Sequence, residues 1–258
     1  MFDDPLQDVH LSCAFCDEIR DEALLEEYER LLSAEERARR SRFLFARDRH
    51  RFLITRALVR TALSTYADVA PADWTFVANA YGRPEIAPRH EGASGLSFNV
   101  SHTPGLVVLA VASGRAVGVD TEPVGGREAP VGVAEQWFAP AEVAALRALP
   151  EADRPRRFFE YWTLKEAYVK ARSMGLALSL RDFAVRFAGD RGVALSGDDE
   201  AADAVSRWQL WQFLVAGDHL VAVCAAQTEG GLGRLIVKKA VPLRTEEQLD
   251  ARELRTSV

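Results

Sequence analysis

Two acidic side chains in the middle of the chain have a spacing that suits a divalent metal ion. Asp120 and Glu122 belong to the segment GVDTE, which is typical of a β-strand. Residues two apart on a strand share a face, so both carboxylates lie beside Gly118, while Val117 and Val119 point the other way. Adjacent anions repel unless a cation joins them, and Mg²⁺ is commonly held by one or two carboxylates with phosphate oxygens. The pair indicates a magnesium site, or else an ordinary solvated strand end.

A second charged pair, Glu166 and Lys170, lies one turn apart in the segment RRFFEYWTLKEAYVKA, which has helical periodicity. Its apolar stripe consists of Phe158, Tyr161, Trp162 and Val169. Only four of the 32 basic residues are lysines, and Lys165 and Lys170 both fall in this segment. A compact ammonium suits a point contact to a phosphate oxygen or a proton donor. An exposed Glu–Lys pair on an ordinary helix surface is the alternative interpretation.

Three further residues are candidates for phosphate or base contacts. Ser101 and His102 lie in the segment NVSHTPG, and Arg83 lies in the turn YGRP. Ser101 and His102 do not suggest a hydrolase, because neighbours on a strand face opposite ways and the chain has no G-x-S-x-G motif. Alternatively, Ser101 and His102 belong to an ordinary turn before an apolar strand, and Arg83 is a solvated arginine in a turn.

The charge of the chain is unevenly distributed. The net charge is −6, yet eight arginines and three acidic residues fall between positions 35 and 56. These arginines are Arg37, Arg39, Arg40, Arg42, Arg47, Arg49, Arg51 and Arg56. A basic cluster on an acidic protein favours a compact polyanion such as a nucleotide over a long nucleic-acid duplex. A solvated helix face is the alternative.

Several common sites and locations are disfavoured. The chain has no P-loop, dinucleotide-binding or H-E-x-x-H motif. Cys13 and Cys16 form a C-x-x-C, which fits a redox pair or half of a zinc site, but no second pair or His lies at zinc-finger spacing, so we interpret them as two unrelated thiols near the start of a strand. The first residues are acidic, unlike a targeting peptide. The longest apolar run, residues 106–112, is far below the roughly 20 residues of a membrane span. We therefore expect a cytoplasmic protein without a membrane partner.

The elements that must position these residues follow from periodicity and turn signals. Helices are predicted over 33–45, 47–67, 140–149 and from about 153 to before 175, the first with a capping box of Ser33 and Glu36. Strands are predicted over 9–15, 74–78, 96–100, 106–112, 115–123, 182–188, 207–215 and 219–226. The charged residues after Pro242 are predicted as a docked or frayed helix.

The two halves of the chain resemble each other. RFLITRALVR (51–60) aligns with YWTLKEAYVK (161–170), and GLVVLAVA (105–112) aligns with HLVAVCAA (219–226). The order of elements agrees as well, which favours an α+β fold of two similar subdomains related by pseudo-two-fold duplication. We place them at 1–116 and 117–242, followed by a charged tail, 243–258. The alternative is that amphipathic helices and buried strands generally look alike.

Taken in order, the motifs S-H-x-x-G, G-V-D-x-E and W-x-x-K-E-A-x-x-K resemble those of the Sfp-type 4′-phosphopantetheinyl transferases, in the subgroup with the W/KEA motif. The resemblance extends from about Ser33 to Ala226. The turn Y-G-R-P is similar to the family's Y-G-K-P, and RDRHRFL is similar to its nucleotide-binding helix. The resemblance implies two α+β halves with the active site between them.

The resemblance also implies an activity and its residues. Family members transfer the phosphopantetheine arm of coenzyme A to a serine of an apo acyl or peptidyl carrier protein and release adenosine 3′,5′-bisphosphate. By resemblance, Asp120, Glu122 and Glu166 would hold Mg²⁺, and Glu166 would also deprotonate the serine, directly or through a metal-bound water. Lys170 would neutralise and protonate the leaving phosphate, with Lys165 as a second phosphate contact. The other implied coenzyme A contacts are Arg39, Arg51, Arg83, Ser101 and His102.

Two positions depart from the family pattern, and two other functions remain open. Glu36 stands where a basic residue is common, and Ser173 stands where the first glycine after the long helix is usual. The other functions are a coenzyme A or nucleotide-binding module without turnover, and a Mg²⁺-dependent nucleotide hydrolase. The apolar residues after the metal strand fit a carrier-docking surface or the core: Val131, Val133, Trp137 and Phe138. We expect a monomer and no nucleic-acid partner.

Overall fold

Strands and helices alternate irregularly along the chain, as an α+β fold requires. A computed structural model describes residues 8–124, 129–175, 178–197, 207–228, 231 and 233–257. Its helices are α1 (Glu22–Leu31), α2 (Ala34–Ser41), α3 (Ala46–Leu63), α4 (Ala134–Trp137), α5 (Pro140–Arg147) and α6 (Arg154–Ala171). Its strands are β1 (Val9–Phe15), β2 (Phe76–Ala78), β3 (Pro84–Ile86), β4 (Leu96–Thr103), β5 (Leu106–Ser113), β6 (Val117–Pro123), β7 (Phe183–Ala188), β8 (Gly192–Gly197), β9 (Trp208–Val215), β10 (His219–Ala226), β11 (Leu235–Val241), β12 (Thr245–Gln248) and β13 (Arg252–Ser257).

Two sheets lie face to face at the centre of the molecule. The first has the strand order β12-β11-β1-β5-β4, and the second has the order β6-β10-β9-β13-β8-β7. Alternate residues of both sheets form a shared apolar core, for example Leu11 and Val108 of the first with Val119 and Val223 of the second. In these strand orders, β4 lies at one edge of the first sheet and β6 lies at one edge of the second.

Helices cover the outer face of each sheet. The core on the first sheet includes Leu53 and Leu58 of α3, and the core on the second includes Leu164 and Tyr168 of α6. Each of these two helices has 18 residues, and each occupies the same place relative to its sheet. This arrangement is the duplicated α+β fold that the sequence predicts.

The helix α6 packs unusually close to β6 because the strand carries Gly118 at the contact. A Cβ atom at Gly118 would lie 2.2 Å from the carbonyl oxygen of Ala167 and 2.3 Å from the amide nitrogen of Ala171. Val117 and Val119 face the other sheet, as the alternation predicts. The missing side chain thus sets the distance between the helix of Glu166 and the strand of Asp120.

Most predicted elements are confirmed, including the Ser33–Glu36 capping box that begins α2. The prediction of a helix after Pro242 is wrong, because the chain there forms β12 and β13. The elements α1, α4, β3, β8 and β11 have no counterpart among the predicted helices and strands. The chain passes from the first sheet to the second between β5 and β6, near the predicted division at 116 and 117. However, β11 lies in the first sheet, so the three-part division stays a prediction.

We predict that Gly118→Ala is strongly destabilising. The new methyl group would overlap helix backbone, which cannot move as a flexible side chain would, so we expect a loss of about 3 kcal/mol or more. Denaturant unfolding measures the loss. The control is Gly92→Ala, where no atom lies within 4 Å of the new methyl group and stability should hold or rise slightly. Equal stability of the two variants would contradict the close approach.

Candidate functional site

The candidate site lies where the two edge strands meet. The strands β4 and β6 belong to different sheets, but the Asn99 side chain of β4 accepts a hydrogen bond from the Val119 backbone N–H of β6, at 2.9 Å. Asn99 is largely buried. Because edge strands leave backbone groups without ladder partners, side chains must satisfy those groups at a buried junction.

Lys170 of α6 reaches into this junction. Its ammonium donates to Asp120 Oδ1 at 2.7 Å, to Ser101 Oγ at 3.1 Å and to the carbonyl oxygen of Val119 at 3.2 Å. Ser101 Oγ in turn donates to Asp120 Oδ1 at 3.1 Å. Three residues predicted from separate motifs therefore meet at one point between the halves.

The carboxylate of Glu166 lies near the same point, one turn before Lys170. Burial and then the negative charge of Asp120 raise the pKa of Glu166, with a smaller contribution from Glu122, while Lys170 acts in the opposite direction. Two of the predicted metal ligands, Asp120 and Glu122, therefore act electrostatically on the third, Glu166. A raised pKa brings a carboxylate closer to the range in which it works as a base.

The donor set fits a hard cation such as Mg²⁺, which prefers carboxylate oxygens. Asp120 is 6% exposed, and its Oδ2 atom is buried without a hydrogen-bond partner. Among the described residues, no three His, Cys, Asp or Glu side chains are already gathered into a metal-binding cluster. Assignment of Asp120, Glu122 and Glu166 as ligands therefore stays a prediction.

A basic cavity of about 410 Å³ opens on one side of Lys170. Its cationic lining includes Arg39, Arg51 and Lys170, and Ser101 and His102 also line it. Arg51 donates to Asp48 at 2.8 Å. Partial desolvation, and then the charge of Arg51, lower the pKa of His102, so its imidazole is neutral at pH 7. The arrangement suits a small, multiply charged anion.

Arg56 is a cavity residue that the sequence analysis counted among the arginines but did not select. Both Arg39 and Arg56 lie against the ring of Phe52, at 5.8 and 5.1 Å from its centroid. Glu36 lies 3.8 Å from Arg56, and it also pairs with buried Arg60 at 2.7 Å. Glu36 thus forms ion pairs with Arg56 and Arg60 instead of contacting a phosphate. Within the described part of the chain, neither Arg39 nor Arg56 donates a hydrogen bond to a protein acceptor.

A second cavity, of about 570 Å³, opens on the other side of Lys170 and is more apolar. Glu166 lines it together with Tyr81, Trp137, Val169 and Leu180. Trp137 is 42% exposed, whereas Phe138 is fully buried in the core. Of the apolar residues after the metal strand, Phe138 is therefore a core residue, and Trp137 is available at the surface.

The predicted role of Lys165 as a phosphate contact is wrong. Its side chain is fully buried, and its ammonium donates to both oxygens of Glu142, at 2.9 and 2.8 Å, and to the carbonyl oxygen of Phe183 at 2.6 Å. Glu142 also accepts from the Val185 backbone N–H. Lys165 faces away from the junction and fastens α6 to α5 and β7.

We predict that Lys165→Met costs about 3–5 kcal/mol of stability, because it leaves Glu142 charged and buried without its cation. Denaturant unfolding measures the loss, and calorimetric titration with coenzyme A measures ligand affinity. The double variant Lys165→Met, Glu142→Gln should recover part of the stability, since both charges are gone. Unchanged stability with weakened coenzyme A binding would restore the original assignment.

Arg83 also differs from its predicted role. All four terminal N–H groups of its guanidinium donate to protein acceptors, and the remaining Nε is buried without a partner. Burial lowers its pKa, with Glu85 acting in the opposite direction. These contacts leave Arg83 without an exposed donor for a coenzyme A phosphate.

Two further predictions concern the cysteines, expected to be separate thiols, and the expected lack of a membrane span. Cys13 and Cys16 are buried free thiols, and desolvation raises their pKa values to about 12 and about 11. Thiols with raised pKa values react poorly, which agrees with two separate structural cysteines. In the part of the chain that the structure describes, no helix is sufficiently long and apolar to cross a membrane.

Comparison with known proteins gives consistent similarities over most of the chain. Residues 116–224 match the 4′-phosphopantetheinyl transferase superfamily, and residues 21–114 match the family described as 4′-phosphopantetheinyl transferase, N-terminal. A 4′-phosphopantetheinyl transferase of Bacillus subtilis is 30% identical over 198 residues, which cover 77% of this chain and 84% of that protein. The 4′-phosphopantetheinyl transferase HetI of Nostoc sp. is 37% identical over 156 residues, which cover 60% and 65%. A phosphopantetheinyl transferase of Thraustochytrium sp. is 34% identical over 203 residues, which cover 74% and 69%.

Proposed function

Because this chain belongs to the 4′-phosphopantetheinyl transferase superfamily, we propose that it transfers 4′-phosphopantetheine from coenzyme A to a serine of an apo acyl or peptidyl carrier protein. Adenosine 3′,5′-bisphosphate is the other product. The observation that carries the proposal is the position of Lys170, which lines both the basic cavity and the cavity of Glu166. A diphosphate beside Lys170 would have its nucleotide end among arginines and its reacting end beside a base.

The chemistry follows from this placement. The serine hydroxyl attacks the phosphorus that carries the pantetheine arm, Glu166 accepts the hydroxyl proton, and the bond to the bridging oxygen breaks. Lys170 stabilises the negative charge that develops on the leaving bisphosphate. Asp120, Glu122 and Glu166 would hold Mg²⁺, which when bound polarises the diphosphate. Asp120 also pairs with Lys170, at 2.7 Å.

The two other candidate functions lack support from this geometry. A binding module needs the basic cavity but no carboxyl group with a raised pKa beside it. A nucleotide hydrolase needs a positioned water, whereas the cavity beside Glu166 has an apolar lining that includes partly exposed Trp137. We propose that this apolar side admits the carrier, and that the protein acts as a cytoplasmic monomer.

The direct test is incubation with coenzyme A, Mg²⁺ and an apo carrier, followed by intact mass measurement of the carrier. The proposal predicts addition of one phosphopantetheine to the carrier serine. Coenzyme A binding without transfer indicates the binding module, and coenzyme A cleavage without a carrier indicates the hydrolase. A panel of fatty-acid, polyketide and peptide-synthesis carriers identifies the preferred partner.

We predict that Glu166→Gln removes most turnover, by roughly 100-fold or more, because general-base assistance typically contributes that much. Coenzyme A binding should stay measurable by calorimetric titration, since the basic cavity is intact. The control is Glu135→Gln, which alters an exposed carboxylate that pairs with Arg147. Turnover near that of the unmodified protein in Glu166→Gln would exclude Glu166 as the base.

We predict that Arg39→Met and Arg56→Met each raise KM for coenzyme A by about tenfold and change kcat little. A hydrogen bond from a charged group contributes about 1.5–3 kcal/mol, and the loss should fall on binding. Steady-state kinetics with 3′-dephospho-coenzyme A tests which phosphate these arginines bind. If they bind the 3′-phosphate, the substitutions should raise KM less with that substrate than with coenzyme A. Arg42→Met is the control, since Arg42 is exposed and does not line the cavity. An equal effect of all three substitutions would contradict the assignment.

A further inference from the structure

Arg83 lies in a turn built to reach the C-terminal end of α6. The Asn79 side-chain oxygen accepts from the backbone N–H groups of Tyr81 and Arg83, at 2.9 and 3.0 Å. Gly82 permits the turn through its φ of +81°. Asn79 Nδ2 also donates to the carbonyl oxygen of Ser173, at 3.4 Å. The turn between β2 and β3 is therefore attached to the segment that follows α6.

The guanidinium of Arg83 joins three elements that meet at the site. Nη2 donates to the carbonyl oxygens of Phe98 in β4, at 2.6 Å, and Val117 in β6, at 3.0 Å. Nη1 donates to the carbonyl oxygen of Lys170 in α6 and to the hydroxyl of Ser173, each at 2.5 Å. Its planar fork donates to two edge-strand carbonyls, a helix-end carbonyl and a hydroxyl, which is one acceptor more than the three N–H groups of an ammonium can satisfy.

The same three elements are joined a second time by Lys170. Phe98 is three residues from Ser101, and Val117 is three residues from Asp120, the two side chains that Lys170 contacts. A substrate phosphate that drew the ammonium of Lys170 away would weaken its hold on these strands. The contacts of Arg83 use protein acceptors alone and would not compete with that phosphate.

We propose that Arg83 is a positioning residue that sets the place of Lys170 relative to Ser101 and Asp120, and that Ser173 is its matched acceptor. The inference rests on the proposed function. Ser173 has a φ of +55°, in the left-handed region that residues other than glycine seldom adopt. Its hydroxyl contact with Arg83 gives a reason for serine at a position where glycine is usual in the family.

The test compares Arg83→Met, Arg83→Lys and Ser173→Ala in steady-state transfer to the carrier. Both Arg83 variants should lower kcat by roughly 10- to 100-fold, since small misplacements of reacting groups cost that much, while KM for coenzyme A stays within about twofold. Ser173→Ala should lower kcat several-fold. The double variant Arg83→Met, Ser173→Ala should fall no further than Arg83→Met alone. Arg89→Met, on the exposed part of the same segment, is the control.

A rise in KM without loss of kcat, with lysine restoring affinity, would show that Arg83 binds coenzyme A and would overturn the proposal. Additive losses would overturn the pairing with Ser173. If Arg83→Met does not fold, Ser173→Ala decides alone, and unchanged kcat in it contradicts the inference.

Hydrogen exchange gives a second readout that does not depend on turnover. Arg83→Met or Ser173→Ala should speed amide exchange in peptides from β4, β6 and the end of α6, but not in α1. Unaltered exchange in the first three would overturn the proposal. Absence of transfer by the unmodified protein overturns the proposed function instead, and exchange still decides the role of Arg83.

Discussion

The meeting of two unpaired sheet edges is the constraint on which the site depends. The strands β4 and β6 lie together without forming a continuous ladder, so their free backbone groups need side-chain partners. Asn99, Arg83 and Lys170 supply them. Two of these partners are cations, and the same junction brings Asp120 and Ser101 within reach of Lys170. The polar side chains that join the two sheets at this junction therefore also bring the candidate catalytic side chains together.

The balance of charge at the junction suits phosphate chemistry. Asp120, Glu122 and Lys170 all act electrostatically on Glu166 there, and on the far side of Lys170 the cavity lining is rich in arginine. An additional cation relieves the excess of negative charge among the carboxylates, and an anion relieves the excess of positive charge in the cavity. A diphosphate with a divalent ion satisfies both needs at once, and Gly118 keeps the helix close enough for one lysine to serve both sides.

The sequence predicts what depends on local periodicity and misses what depends on distant partners. Alternation along β6 correctly turns Asp120 away from Val119, and helical spacing correctly brings Glu166 and Lys170 together. Lys165 was assigned wrongly because its partner Glu142 comes from another helix, and no local pattern records the contact. Arg83 likewise finds its acceptors in three separate elements. The strands β12 and β13 were missed because their charged residues lack the apolar alternation that marks a strand.

Phosphorus NMR tests directly whether the carboxylates and the basic cavity converge on one diphosphate. Mn²⁺ in place of Mg²⁺, added to the protein with bound coenzyme A, should broaden the two diphosphate resonances strongly and the 3′-phosphate resonance much less. Asp120→Asn should reduce that broadening, since it removes a proposed ligand. Equal broadening of all three resonances, or broadening indifferent to Asp120, would contradict a metal held by this strand against the diphosphate.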